Sequence, residues 1–421
     1  MSEIKFPKNF YWGAATSSHQ VEGGNVNDWS EWEKKNAKRL VKKARKYYQP
    51  WQQEMFPEMF EPENYISGRA CDHYHRFKED FDITKSLGHN AHRFSIEWSR
   101  IEPEKGKFNE REIEHYQQVI KALRQRGLEP FVTLWHWTNP VWIYDIGGWE
   151  NKKTVEYFLQ YVQNLIDSFG DEIKFWIPLN EPQSYAGMSY VAGKFPPQVK
   201  SLYRANKVFR NLMSAHKKAY TLIHQKLGNK ANVGTSEYLV YHTPYKNTFL
   251  NIVIVKILKY IRGTRFLNKT KWHRDFIGLQ YYHHDRIRPC LGGRLKIGEI
   301  DNENKEISDM GWEIYPEGIY RLLKDLKKYK KPIYITENGL ADAKDAKRAK
   351  FIKDHLYWIH KAIEEDVDVR GYFYWSLLDN FEWDKGFWPR FGLIEVDYKT
   401  LERKIRPSAK VYAKICKENK I

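Results

Sequence analysis

The sequence predicts an α/β fold, a single (β/α)8 TIM barrel with long βα loops at its C-terminal face. Three observations carry this expectation. Eight short runs rich in apolar, aromatic or β-branched residues alternate with stretches of helical periodicity. No linker or change of composition divides the 421 residues, so 1–421 are expected to form one domain. Polar and aromatic residues stand at or near the ends of the runs, where the loops of a barrel converge on one mouth.

The first run is Phe10–Thr16, leading into Ser17, His19 and Gln20. From Asp28 to about Gly68 the chain is charged and Trp-rich, and reads as a long irregular loop. A helical pattern over His73–Leu87 precedes the second run, Asn90–Ser95. Asn109 then caps a helix, with Glu112 at capping-box spacing, Ile113, Tyr116, Ile120 and Leu123 on one stripe, and Gly127 as its stop. The third run is Pro130–Trp135. Val155, Phe158, Val162, Ile166 and Phe169 form the next stripe, ended by Gly170, before the fourth run, Lys174–Asn180. Ala205–Leu227 is helical and leads to Asn232–Ser236, the fifth; Asp275–Tyr281 is the sixth. Pro316 opens a helix before the seventh, Ile333–Thr336, and Lys347–Ile363 precedes the eighth, Gly371–Ser376.

Composition narrows the function classes. The net charge of +17 raises the question of nucleic acid or anionic membrane. Basic residues cluster at 38–46 and 256–274, but no zinc-finger, RNA-binding or helix-turn-helix signature accompanies them, so no nucleic-acid partner is expected. The three cysteines, Cys71, Cys290 and Cys416, are widely spaced, which fits a reducing compartment rather than a disulfide framework. No signal-peptide pattern opens the chain and no run reaches the ~20 apolar residues of a membrane span, so a cytoplasmic protein without stable membrane insertion is expected. The amphipathic stretch Phe249–Ile261 reads as a helix packed on the body. His92, His283 and His284 lack metal-ligand spacing, so neither metal nor cofactor is expected.

Two runs end in an acid, Glu181 and Glu337. A carboxylate at the end of a buried strand is costly unless it is paired or used. Two such acids across a barrel mouth can hydrolyse a glycosidic bond, one protonating the leaving oxygen and the other attacking the anomeric carbon; such a retaining pair stands about 5–5.5 Å apart. Arg93 can hold one of them ionised, leaving the other protonated. Residue types alone do not say which.

The chain is similar to glycoside hydrolase family 1, the β-glucosidase/β-galactosidase family, over essentially its whole length. The matching blocks include Phe10–Ser17 with Gln20-Val21-Glu22-Gly23, Arg93–Ile96, Thr133–Trp137, Leu179-Asn180-Glu181-Pro182, Tyr281-Tyr282, Ile335–Gly339 and Trp375–Trp383. The resemblance implies Glu337 as nucleophile and Glu181 as general acid/base, with Arg93 and Tyr282 on the nucleophile and Asn180 on the sugar 2-hydroxyl. It further implies that Gln20, His136, Glu382 and Trp383 hold the other hydroxyls over a Trp375 platform. Read without the resemblance, His136 and Trp375 are also ordinary core residues.

The chain departs from the family at Gln280, where Asn is usual before the two tyrosines, at Thr138-Asn139-Pro140 and at Pro178. These positions bear on aglycone preference and fine geometry. Glu382-Trp383 differs from the Ser and Lys pattern of the 6-phospho-glycosidase branch, which disfavours phosphorylated sugars. The expected activity is a retaining exo-β-glycosidase on small-molecule β-glucosides, β-galactosides or β-fucosides. Its competitors are a transglycosylase using the same acids with an alcohol or lipid acceptor, and a non-catalytic carbohydrate- or membrane-binding barrel.

Overall fold

The computed structural model describes residues 3–289, 295–297 and 306–421. Eight parallel strands close a barrel in sequential order. They are β1 (Tyr11–Ala15), β2 (Ala91–Ser95), β3 (Glu129–Thr133), β4 (Phe175–Ile177), β5 (Asn232–Tyr238), β6 (Phe276–Gln280), β7 (Ile333–Asn338) and β8 (Val369–Trp375). Each overlaps its predicted run. β4 is shorter than its run because Pro178 has no N–H to continue the ladder. Ala15 lies beside both Arg93 and Trp375, and Thr133 beside both Ser95 and Ile177, so the polar strand ends share one rim.

The lower half of the barrel interior is an aromatic plug. Phe131, Phe175, Phe276, Tyr334 and Phe373 fill it, with the rings of Phe131 and Phe175 stacked at 4.0 Å. Gly234 is needed beside them, since a Cβ there would stand 2.2 Å from the Phe276 ring. Much of the high aromatic content is therefore packing, and the plug leaves only the upper rim for polar chemistry.

The stretch after residue 28 overturns the loop expectation: α1 spans Asp28–Tyr47. Asn27 and Ser30 close a reciprocal capping box at its start, Ser30 N–H donating to Asn27 Oδ1 at 2.9 Å and Asn27 N–H to Ser30 Oγ at 3.0 Å. Its buried stripe is Trp29, Trp32, Ala37, Leu40 and Ala44. That apolar face is narrow and interrupted by lysines, so composition hides it; the helix is held by packing against the body. The basic cluster 38–46 lies on α1, with Lys38, Arg39, Lys42, Arg45 and Lys46 exposed.

Further helices are α2 (His73–Ser86), α3 (Glu110–Gln125), α4 (Lys153–Phe169), α5 (Pro182–Tyr190), α6 (Leu202–Leu227), α7 (Phe249–Lys259), α8 (Glu317–Leu326) and α9 (Arg348–Glu364), and all of these but α5 fall on stretches of predicted helical pattern. Asn109 caps α3, accepting from Arg111 N–H at 3.2 Å, but Glu112 does not close the box. Glu112 instead accepts from the Tyr74 hydroxyl at 3.0 Å, a tertiary contact that outcompetes the local one. α7 packs on the body through Val255 and Leu258 against Ile287, yet its other face is exposed. Cys71 and Cys416 are buried free thiols; Cys290 lies outside the described residues.

Candidate active site

Pro178 ends β4, and the next residues are tied to both flanking strands: Asn180 N–H donates to Trp135 O at 2.9 Å and Glu181 N–H to Ser236 O at 2.8 Å. Glu181 then takes a left-handed conformation, φ 40°, at the start of α5, with Pro182 in the first turn. Trp137 and Trp383 are also left-handed, at φ 78° and 49°. Bulky side chains rarely adopt that region, and such strain gathers where a structure positions groups for use. Opposite, β7 carries Glu337 inward, and Gly339 lets the following turn pass β8, since a Cβ there would be 1.7 Å from Trp375 O.

Arg93, from β2, joins the two sides. Its Nη1 donates to Glu337 Oε1, its Nη2 to Asn180 Oδ1 at 2.6 Å and its Nε to Thr133 Oγ1 at 3.2 Å. The open question of which acid Arg93 touches is thus answered by Glu337. The Tyr282 hydroxyl donates to Glu337 Oε2 at 2.6 Å. Asn180 Nδ2 lies 3.0 Å from His136 Nε2, so Asn180 presents its amide between Arg93 and His136.

The two acids differ in their surroundings. Burial raises both carboxyl groups above the usual carboxylate range, but Arg93 and the Tyr282 hydroxyl draw Glu337 back down. Glu181 is pushed well above that range by burial and by the charge of Glu337, against weaker pulls from Ser184 and Arg93. The surroundings of Glu181 thus favour its protonated form, and the partners of Glu337 favour its carboxylate.

A second group of residues lines the rim. Gln20, after β1, accepts from Ser17 Oγ at 2.6 Å and donates to Phe381 O at 2.8 Å and to Glu382 Oε2 at 3.4 Å. Burial lifts the Glu382 carboxyl to about 8, with nearby Lys385 opposing it and Glu337 adding to it. The His136 ring lies roughly parallel to Trp375 at 6.1 Å and to Trp383 at 5.9 Å, linking the two indoles. Burial and Arg93 keep His136 neutral, its pKa well below the ordinary value. Its Nδ1 is buried without a protein partner, which leaves it open to a ligand hydroxyl. The ten residues singled out from the sequence thus gather at one end of the barrel.

The sequence understated Gln280. The longer side chain does not miss the site: its Nε2 reaches Glu337 Oε1 at 2.6 Å, Ser236 Oγ at 2.7 Å and Asn180 Oδ1 at 2.8 Å. Its Oε1 is a further buried acceptor without a protein partner. The signal was present, a polar residue closing a buried strand one position before the tyrosine pair. His19 pairs with Glu33 of α1 at 2.7 Å behind Trp383, a support that composition hides because it does not show α1 as a helix. His283 stands 3.0 Å from the Tyr238 hydroxyl and His284 2.7 Å from Thr243 Oγ1, so both rings serve the rim's own packing.

Comparison with known proteins bears on this geometry. The profile of Glycosyl hydrolase family 1 matches residues 2–270 and 262–421. β-Glucosidase A of Thermotoga maritima is 33% identical, with 100% of this chain and 99% of that protein aligned. Among solved structures, a β-glycosidase from Pyrococcus horikoshii superposes with a TM-score of 0.88 at 36% identity, covering 100% of this chain and 96% of that one. The Thermotoga maritima β-glucosidase in complex with glucoimidazole superposes at 0.87 with 31% identity, covering 99% and 100%.

Proposed function

The chain belongs to glycosyl hydrolase family 1 and acts on β-glycosides, and from that premise we propose that it is a retaining exo-β-glycosidase with a preference for β-glucosides. The observation that supports this most is the unequal treatment of the two acids. Glu337 accepts from Arg93, Tyr282 and Gln280, which aim and ionise it, whereas Glu181 is desolvated beside it and holds a proton.

In the first step the Glu337 carboxylate attacks the anomeric carbon as the bond to the leaving oxygen breaks, and the Glu181 proton goes to that oxygen. An α-glycosyl ester on Glu337 results. Glu181, now a carboxylate, takes a proton from water, whose oxygen attacks the same carbon as its bond to Glu337 breaks, which releases the Glu337 carboxylate and restores the β configuration. Charge on Glu337 falls as the ester forms, and Arg93 keeps a second acceptor in Asn180 through that change. Asn180 and His136 present groups to the sugar hydroxyls, Gln20 and Glu382 bind those at the far end, and Trp375 with Trp383 supplies apolar faces for the ring.

The test is azide rescue of an aryl β-glucoside. Glu337→Gly is expected to abolish hydrolysis, and added azide to restore turnover with an α-glycosyl azide as product. An α-azide from Glu181→Ala instead would reverse the two roles. Product analysis with an added alcohol measures how much of the glycosyl ester goes to transfer instead of water.

A further inference from the structure

We infer that α7 docks this protein on an anionic lipid surface, with the active-site rim facing that surface. Among the described helices, α7 has two unlike faces. Thr248 caps it by accepting from Asn251 N–H at 3.3 Å, and Val255 and Leu258 turn inward onto Ile287. On the outer face, Phe249 is 84% exposed, Leu250 57%, Ile257 50% and Ile261 51%. Leu250 and Ile257 on α7 and Ile261 just beyond it fall along one side, while Ile254 between them is partly buried against the Val255 and Leu258 cluster. A helix whose outer face is more aliphatic than its inner one is not explained by packing on its own body.

Charge identifies the occupant. No Asp or Glu stands between Glu237 and Asp275, against eight Lys or Arg in the same stretch. Lys246, Lys256 and Arg262 flank the apolar row and are exposed. Exposed aliphatic residues bordered by Lys246, Lys256 and Arg262, with Lys259 alone among the helix's lysines paired within the described residues, to Asp325 at 3.1 Å, match a surface with negative charge outside and hydrocarbon beneath. A second copy of the chain would bring these cations against each other, which opposes self-association through this face. No described helix is long and apolar enough to cross a membrane, so the geometry is one of lying on the surface.

The docking face is tied to the chemistry. α7 follows the C-terminal end of β5, at the barrel's active-site rim. The turn after it is fixed to α5, the helix that starts at Glu181: Gln183 Nε2 donates to Gly263 O at 2.6 Å, and Gln183 Oε1 accepts from Phe266 N–H at 3.2 Å. Seating α7 on a bilayer therefore brings the rim close to the headgroups. The substrate class this adds, which rests on the β-glycosidase reading, is a β-glucoside whose aglycone is anchored in lipid.

The experiment is co-sedimentation of the full chain with vesicles of phosphatidylcholine and phosphatidylglycerol in equal parts, beside vesicles of phosphatidylcholine alone. The wild type is expected to sediment with the anionic vesicles, less so as salt rises, and to remain in solution with the neutral ones. The triple variant Phe249→Ser/Leu250→Ser/Ile257→Ser should lose about tenfold or more in partition, and Lys256→Glu/Arg262→Glu should lose a comparable amount. Both should hydrolyse a soluble aryl β-glucoside as the wild type does. Turnover of a glucosyl lipid placed in the anionic vesicles should fall with partition. A wild type that stays in solution, or variants that sediment equally well, overturns the proposal, as does a wild-type dimer that the triple variant converts to monomer. Failure to cleave the soluble glucoside sinks the glycosidase reading and leaves the vesicle result standing.

Discussion

The two ends of the barrel are made from the same eight strands, and both are polar, but they treat their charges differently. The N-terminal end opens on a cavity of about 900 Å3 lined by residues such as Asn9, Asn90, Glu129, Lys174 and Arg370. Its charges are paired near water: Arg124 with Glu129 at 2.7 Å and Arg370 with Asp368 at 2.8 Å. Asn90 is spent on the backbone, accepting from Trp12 N–H at 2.8 Å and donating to Phe10 O at 3.0 Å. At the C-terminal end the acids are buried, only one has an arginine, and His136 Nδ1 and Gln280 Oε1 have no protein partner. Polarity does not separate the two ends. What separates them is a pair of acids desolvated beside each other, Glu181 and Glu337, with Arg93 bonded to one alone, an arrangement available to a substrate.

The largest test of that contrast is Glu181→Ala. Hydrolysis of an aryl β-glucoside with a poor leaving group should fall about 10²–10⁴-fold, and much less with a leaving group that needs no proton, as read from kcat/KM across a leaving-group series. An equal loss for all leaving groups would remove Glu181 from the acid role.

A smaller effect is expected from Tyr282→Phe. The Tyr282 hydroxyl donates to Glu337 and lowers its pKa, so its removal raises that pKa. The reactive form of Glu337 is the carboxylate. The acid limb of the kcat/KM profile should therefore move to higher pH, with a loss at the optimum of about tenfold or more. The alkaline limb, set by loss of the Glu181 proton, should stay in place. A shift to lower pH would contradict the arrangement.

The smallest effect belongs to the other end. Glu129→Gln removes a partly solvated pair with Arg124, so stability should change by about 0–1 kcal/mol in thermal unfolding, and turnover should be unaltered. A large loss of activity there would mean that the two ends are coupled and that the contrast drawn between them fails.

Much of this was legible before any coordinates. The eight strand positions follow from local apolar runs and their punctuation, and Glu181 and Glu337 stand out because an acid closing a buried run is expensive. The (β/α)8 expectation matches the closed barrel for the same reason. α1 was not legible, because its stripe of Trp29, Trp32, Ala37, Leu40 and Ala44 is thin and only packing gives it weight. Nor was the role of Gln280, since whether one extra methylene overshoots a carboxylate depends on how far β6 and β7 stand apart.

By itself the sequence determined which segments become strands and which residues end them, because periodicity and turn chemistry act over a few neighbours. Only the tertiary structure decided which acid receives Arg93, which acid is left to hold a proton and which face of α7 is turned outward. Those outcomes join residues that are not local in the chain, as with Arg93 and Glu337, 244 positions apart, and such contacts are fixed only when the barrel closes.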